Sequence, residues 1–386
     1  MQRTHIFCKV IDNFGDLGVC WRLARQLAHE QQHAVTLWVD DWQIVEQMTL
    51  KTQTPAIASQ AGELAWMHWS DDQRLTSQLT VHSLPIDWLI EGFACRLPED
   101  LLAHLAKQTP AVRWVNLEYL SAESWIHDCH GLMSDHPRLN IRQHFFFPSV
   151  TPDSGGLLRE SHLLTQIQTF QSSGSLQHDF WQHYGIGADD FSLKISLFAY
   201  PHVPLADLLN RLRDHPTTVL LAVTDSGHRH AVQAWLATQS LGLPAHRASV
   251  KCGSLTVLRL PFLSHTAFDQ LLWACDLNLI RGEDSCVRAM WAAQAWLWHI
   301  YPQDDDAHQD KLKAMLAVIE QTLAGQDDAA LQCWLTAVWT YGMSQPTDWT
   351  ALLGYLPRIG RLSQRWQQYL ADQSDLVQRL LQLSAK

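Results

Sequence analysis

Apolar residues along this chain gather in short runs, separated by stretches where they recur every third or fourth position. That is the pattern of buried strands alternating with amphipathic helices. Ile6 to Ile11 (Ile-Phe-Cys-Lys-Val-Ile) reads as a buried strand. A glycine-containing loop follows, then a helix from Val19 to Glu30 in which Cys20, Leu23, Ala24, Leu27 and Ala28 recur at helical spacing. Val35 to Val39, Ile86 to Ile90 and Val112 to Leu117 are further strands, with Leu101 to Lys107 among the intervening helices. Such alternation predicts a parallel sheet with helices on both faces.

Around residues 148–176 the pattern lapses into Pro148-Ser-Val-Thr-Pro-Asp-Ser-Gly-Gly156 and Gln171-Ser-Ser-Gly-Ser175, a composition that suits a linker. Alternation then resumes. Leu193 to Ala199, Val219 to Val223, Val257 to Leu260 and Leu277 to Ile280 read as strands, and Leu205 to Arg213, Ala231 to Ala237 and Ala267 to Ala274 as helices. From about Ala307 the chain reads as almost wholly helical. The predicted fold class is therefore α/β, with two Rossmann-like domains facing a central cleft and a helical C-terminal segment. The predicted domains cover 1–160 and 177–360, and a last helix at about 364–386 is placed to cross back onto the first. Ligands of open α/β sheets bind beyond the carboxyl ends of the strands, so a cleft enzyme is the expectation.

Composition narrows the partners. The chain has 386 residues, enough for two cores, with 39 acidic against 28 basic side chains and a net charge of -11. That balance argues against binding a nucleic-acid backbone and suits a basic protein segment. No secretory signal or membrane-length apolar run is visible, so a cytoplasmic protein is expected. The 8 cysteines form no Cys-x-x-Cys pair and are expected as reduced thiols. His127-Asp128-Cys129-His130 with His136 lacks the spacing of a zinc module, so no metal is expected. Most of the 18 Trp are expected to be packing residues.

Two loops carry candidate chemistry. Asp12-Asn13-Phe14-Gly15-Asp16-Leu17-Gly18 closes the first strand and opens the first helix. Its glycines admit close approach of a ligand, and its two carboxylates would repel a pyrophosphate but hold a cationic or proton-donating acceptor. The plainer reading is a turn with Asp16 as helix cap. Arg281-Gly282-Glu283-Asp284-Ser285-Cys286-Val287-Arg288 joins the strand ending at Ile280 to a helix running to about Gln294. Backbone N–H groups there, with the Ser285 hydroxyl, can hold a diphosphate. The plainer reading is a helix capped by Ser285 or Asp284, with Arg281 and Arg288 paired to Glu283 and Asp284. Phe198 and Tyr200 end one strand of the second domain, and Phe262, Ser264 and His265 follow another. Their rings, with His202 and His265, can sandwich a nucleobase or simply pack at the rim. Asp304-Asp305-Asp306 reads as a solvated loop.

Ile11-Asp-Asn-Phe-Gly-Asp-Leu-Gly18 and Arg281-Gly-Glu-Asp-Ser-Cys-Val-Arg288 resemble the hallmark segments of the bacterial elongation factor P protein-arginine rhamnosyltransferases. Leu271-Leu-Trp-Ala-Cys-Asp-Leu-Asn278 and Trp298-His-Ile-Tyr-Pro-Gln303 are similar to the flanking family segments, and the likeness runs in order through nearly the whole chain. The resemblance implies a GT-B architecture with an acceptor-binding N-terminal domain and a nucleotide-sugar-binding C-terminal domain. It implies metal-independent, inverting transfer of rhamnose from dTDP-β-L-rhamnose to an arginine in the N-terminal domain of elongation factor P, with no cofactor. By position, Asp16 would be the principal catalytic carboxylate, with Asp12 and Glu283 also needed for activity. Asp284 and Ser285 would hold the diphosphate, with Glu283 near the ribose, Phe262 on the thymine, and Phe198 and Tyr200 lining the same pocket. Asn13, Phe14, Gly15, Arg281, Gly282 and His265 complete the expected nucleotide-sugar site. His265 stands where the family commonly has Gln, which bears on thymine selection. Rival readings are a nucleotide-sugar transferase with a different acceptor, a noncatalytic translation-factor-binding protein, and a nicotinamide oxidoreductase, the last disfavoured by the acids in the first loop.

Overall fold

The computed structural model describes residues 2–11, 14–50, 58–59, 62–69, 85–108, 110–225, 228–303 and 305–383. Its chain forms two units, Met1–Ser161 with Gln373–Lys386, and His162–Asp372. Among the described residues no helix is long and apolar enough to cross a membrane.

In the first unit the strands are β1 (Arg3–Cys8), β2 (Ala34–Val39), β3 (Ala58–Ser59), β4 (Gly62–His68), β5 (Trp88–Gly92), β6 (Arg113–Leu117), β7 (Met133–Asp135) and β8 (Arg142–Phe146). Their order in the sheet is β3-β4-β2-β1-β5-β6-β8-β7. Among the described residues only the two edge pairings, β3 with β4 and β7 with β8, are antiparallel. Both faces are covered, which is why the central strands read as unbroken apolar runs. The first helix, Phe14–Gln31, packs Leu17, Cys20, Leu23, Ala24 and Leu27 on one face. The helix Glu99–Leu105 packs Leu101, Leu102 and Leu105 on the other. β1 lies between β2 and β5, so the connections run to opposite sides of it and a switch point opens beyond Cys8 and Gly92.

The second unit repeats the plan with β9 (Leu193–Leu197), β10 (Val219–Val223), β11 (Ser249–Cys252), β12 (Leu255–Arg259), β13 (Leu277–Arg281) and β14 (Ala295–His299), ordered β11-β12-β10-β9-β13-β14. Here the switch point lies between β9 and β13, beyond Leu197 and Arg281. Trp296, Trp298, Trp334, Trp349 and Trp366 are fully buried in this unit, in keeping with their expected packing role.

Two features differ from the sequence reading. The stretch read as a linker contains the helices Leu163–Ser172 and Gly174–His183, both in the second unit. Gly174 opens the second of these helices, and Ser173 caps it by accepting from the Leu176 N–H at 3.3 Å. Ser173 and Gly174 are thus helix punctuation, not linker composition. The last helical stretch is also split. Trp349–Ala371 stays in the second unit, and only the short helix Leu376–Gln382 joins the first. Asp375 makes the break by capping the short helix, accepting from Val377 and Gln378 N–H at 2.9 and 3.1 Å.

Candidate active site

In the first unit the acidic loop sits at the switch point. The first helix begins at Phe14, so Asp16 lies inside its first turn and not at the N-cap. Its side chain turns back toward the strand. The Ile11 N–H donates to Asp16 Oδ2 at 2.9 Å, and the residue is only 3% exposed. The positive end of the helix favours an anion at this position. Asp40, following β2, fixes the same segment by accepting from the Val10 N–H at 2.9 Å. Phe14 and Gly15 stand beside Asp16, half-buried, whereas Asp12 and Asn13 lie outside the described residues.

Sequence reasoning missed the facing turn. After β5, Phe93, Ala94 and Arg96 all adopt left-handed backbone, with φ of 57°, 49° and 59°. Non-glycine residues rarely do so, and each such position costs on the order of 1–3 kcal/mol unless its surroundings hold it. Here they do. The Phe93 N–H donates to the Leu117 carbonyl at 2.7 Å, Ala94 N–H to Asn116 Oδ1 at 3.0 Å, and Arg96 N–H to Glu91 Oε1 at 2.6 Å. Glu91 is buried and also accepts from Trp114 Nε1 and Gln143 Nε2 at 3.2 and 2.8 Å. Burial pushes its carboxyl above the usual range. The only sequence signal was a carboxylate in the middle of an apolar strand.

In the second unit, β13 ends at Arg281 and Gly282 turns the chain into the helix Glu283–Ala292. Gly282 has φ 67° and ψ -175°, a conformation open essentially to glycine alone. No side chain caps the helix there, so Ser285 and Asp284 are not the caps of the plainer reading; the Ser285 hydroxyl donates instead to the Arg281 carbonyl. The Arg281 guanidinium lies over two rings, 4.6 Å from the centre of Phe198 and 4.7 Å from that of Tyr200. The structure thus brings Phe198, Tyr200, Arg281 and the start of this helix together at one switch point. Phe262 is half-buried in the segment after β12, and His265 opens the helix His265–Ala274, which Ser264 caps by accepting from Ala267 N–H at 3.1 Å.

Two of the charged residues in this loop have partners on other helices. Arg288 is 3% exposed and makes a two-pronged ion pair with Asp269, its Nε and an Nη donating at 3.1 and 2.7 Å. It ties the helix Glu283–Ala292 to the helix His265–Ala274. Glu283 is salt-bridged to Lys311, from the helix Ala307–Leu323. Beneath Tyr200, His299 Nδ1 accepts the Tyr200 N–H at 3.2 Å while its Nε2 meets Ser344 Oγ at 2.9 Å. Burial, with the nearby His202 and Arg281 charges, lowers its pKa to about 3. His299 is therefore neutral and can accept from the backbone. Asp305 and Asp306 lie in an exposed turn, and Asp304 is outside the described residues.

Two open, mostly parallel sheets, each with polar loop residues at its switch point, are the architecture of the GT-B class of glycosyltransferases. A solved glycosyltransferase from Rickettsia africae shares the fold, at 8% identity and a TM-score of 0.52 over 100% of this chain and 97% of that one. A family model described as "Elongation-Factor P (EF-P) rhamnosyltransferase EarP" matches residues 4–385. The chain belongs to this family, the protein-arginine rhamnosyltransferases. It is 40% identical to the protein-arginine rhamnosyltransferase of Pseudomonas putida over 379 residues, 97% of either chain. Against that of Shewanella oneidensis it is 35% identical over 392 residues, covering 99% of this chain and 97% of the relative. A structure solved to explain EarP-mediated arginine glycosylation of translation elongation factor EF-P aligns at a TM-score of 0.66 and 29% identity, over 100% of this chain and 99% of that one.

Proposed function

We propose that this enzyme moves L-rhamnose from dTDP-β-L-rhamnose, with inversion and without a metal, to one arginine in the N-terminal domain of elongation factor P. The observation that carries the reading is the carboxylate of Asp16, buried in the first turn of a helix at the switch point of its unit. An acceptor guanidinium has a pKa above about 12, and its lone pairs are delocalised. A carboxylate cannot take its proton outright in the ground state. Asp16, helped by Asp12, would grip the guanidinium through charge-assisted hydrogen bonds, polarise one nitrogen and accept its proton as the glycosidic bond forms. Attack from the face opposite the departing diphosphate inverts the anomeric carbon.

On the donor side, the N-H groups opening Glu283–Ala292 would receive the diphosphate, with Asp284 and Ser285 beside it. Gly282 supports this, since its bare α-carbon lets the backbone come close. Arg281, Phe198 and Tyr200 would line the nucleotide pocket, with Phe262 and His265 at the thymine and Glu283 toward the ribose and the reacting sugar. Helix dipole and guanidinium together would neutralise the leaving group, the task a metal performs in other transferases.

Incubation with dTDP-β-L-rhamnose and unmodified elongation factor P in the presence of EDTA should add one deoxyhexose to the factor, read by intact mass. Asp16→Asn should slow transfer by about 10²- to 10⁴-fold while dTDP affinity stays within a few-fold. A factor that gains no mass, or an Asp16→Asn enzyme as fast as the parent, would overturn the reading.

A further inference from the structure

The left-handed turn after β5 carries a ring whose placement the reactions above do not use. Phe93, the first residue of that turn, stacks on Tyr119 with ring centres 4.4 Å apart and planes 15° from parallel. Tyr119 follows β6, and both rings pack against the same core cluster as Phe14 and Leu17, the neighbours of Asp16. Phe93 is nearly buried and covers one side of Tyr119, whereas Tyr119 itself keeps partial exposure. Next to it, Glu118 accepts from Asn116 Nδ2 at 2.6 Å, and Asn116 is the residue that also holds the Ala94 N–H. One buried amide thus sets both the turn and the carboxylate.

A flat cation is recognised by an aromatic face together with a carboxylate in its plane. We propose that Tyr119, backed by Phe93, is the platform on which the acceptor guanidinium lies, with Glu118 accepting from its edge. This assignment rests on the reading that the acceptor arginine enters at Asp16. The strained turn then has a use. It lifts Phe93 out of the strand direction and presses it flat against Tyr119, so the platform is built before the substrate arrives. Tyr119 acts by binding and orienting the acceptor and takes no proton, which separates its role from that of Asp16.

The test is a titration of unmodified elongation factor P against the enzyme held with dTDP, alongside steady-state transfer rates. Tyr119→Ala should weaken acceptor binding about tenfold and raise the acceptor KM in parallel, with dTDP affinity unchanged. Tyr119→Phe, which keeps the aromatic face, should bind the acceptor within about twofold of the parent. Tyr119→Leu keeps an apolar side chain against the core without an aromatic face, so it serves if the alanine variant fails to fold, and should show the same acceptor loss. Unchanged acceptor affinity in Tyr119→Leu, or rescue by leucine as complete as by phenylalanine, would overturn the platform. Because binding is read without transfer, a parent enzyme that holds the factor but adds no sugar would sink the proposed reaction and still report on Tyr119.

Discussion

His299, His228 and His5 are buried and held neutral, with pKa values lowered by burial first, to about 3, 4 and 4, from the ordinary 6.5. Each would bind a proton on unfolding once the pH falls below 6.5, but not while folded until its own lower value is reached. The unfolded chain therefore holds more protons throughout that window. Stability should fall as pH drops from about 6.5 toward 4, with a limiting slope near 1.4 kcal/mol per pH unit for each histidine. Glu91, whose buried carboxyl is raised, acts in the opposite sense and only nearer the carboxylate range. Denaturant melts between pH 7.5 and 4.5 should show the decline, and His299→Gln should flatten its slope. None of this was legible in the sequence, where 21 histidines look alike. Which of them is dry depends on strand order: His228 Nδ1 meets the backbone of Ala199 across 29 positions, and His299 that of Tyr200 across 99.

Elements were far more legible than side-chain partners. Val219–Val223 falls where its apolar run placed it, and Leu277–Arg281 extends its run by one residue. β3, β4, β7, β8, β11 and β14 were missed. β14 reads Ala-Trp-Leu-Trp-His, a short apolar run that periodicity alone does not separate from the end of the buried helix before it. The two candidate loops were visible because glycine and acid residues interrupt the pattern at strand ends. Their partners were not, since Lys311 for Glu283 and Asp269 for Arg288 come from other helices. One consequence belongs to the element that opens Glu283–Ala292. A side chain at Gly282 would have to occupy a backbone region that L-residues avoid. Gly282→Ala should cost about 1–3 kcal/mol and move the start of the helix, so dTDP affinity should fall with Tm. Calorimetric titration with dTDP, set beside a thermal melt, reads both. An alanine variant with parental affinity would mean that the helix start does not hold the diphosphate.

At the scale of the molecule, the first unit is discontinuous. Leu376, Val377 and Leu380 enter its core, and an Arg379 Nη donates to the Pro152 and Ser154 carbonyls at 2.5 and 2.6 Å. Gln373 and Arg159 tie the same segment, Gln373 Nε2 donating to the Val150 carbonyl and Arg159 Nη to the Gln373 carbonyl, both at 3.0 Å. Leu380→Ala should remove about 2–5 kcal/mol from the first unit. Hydrogen exchange should show the loss in β1, β5 and β6 while β9, β10 and β13 keep their protection, and dTDP should still bind.

During synthesis this connectivity sets an order of assembly. Residues 162–372 are contiguous and can fold as soon as they clear the ribosome, whereas the unit that begins the chain must wait for residues 373–383 before its core is closed. A nascent chain would thus carry a finished second unit while its first is still open, and the core of the first would close only once residues 373–383 had emerged.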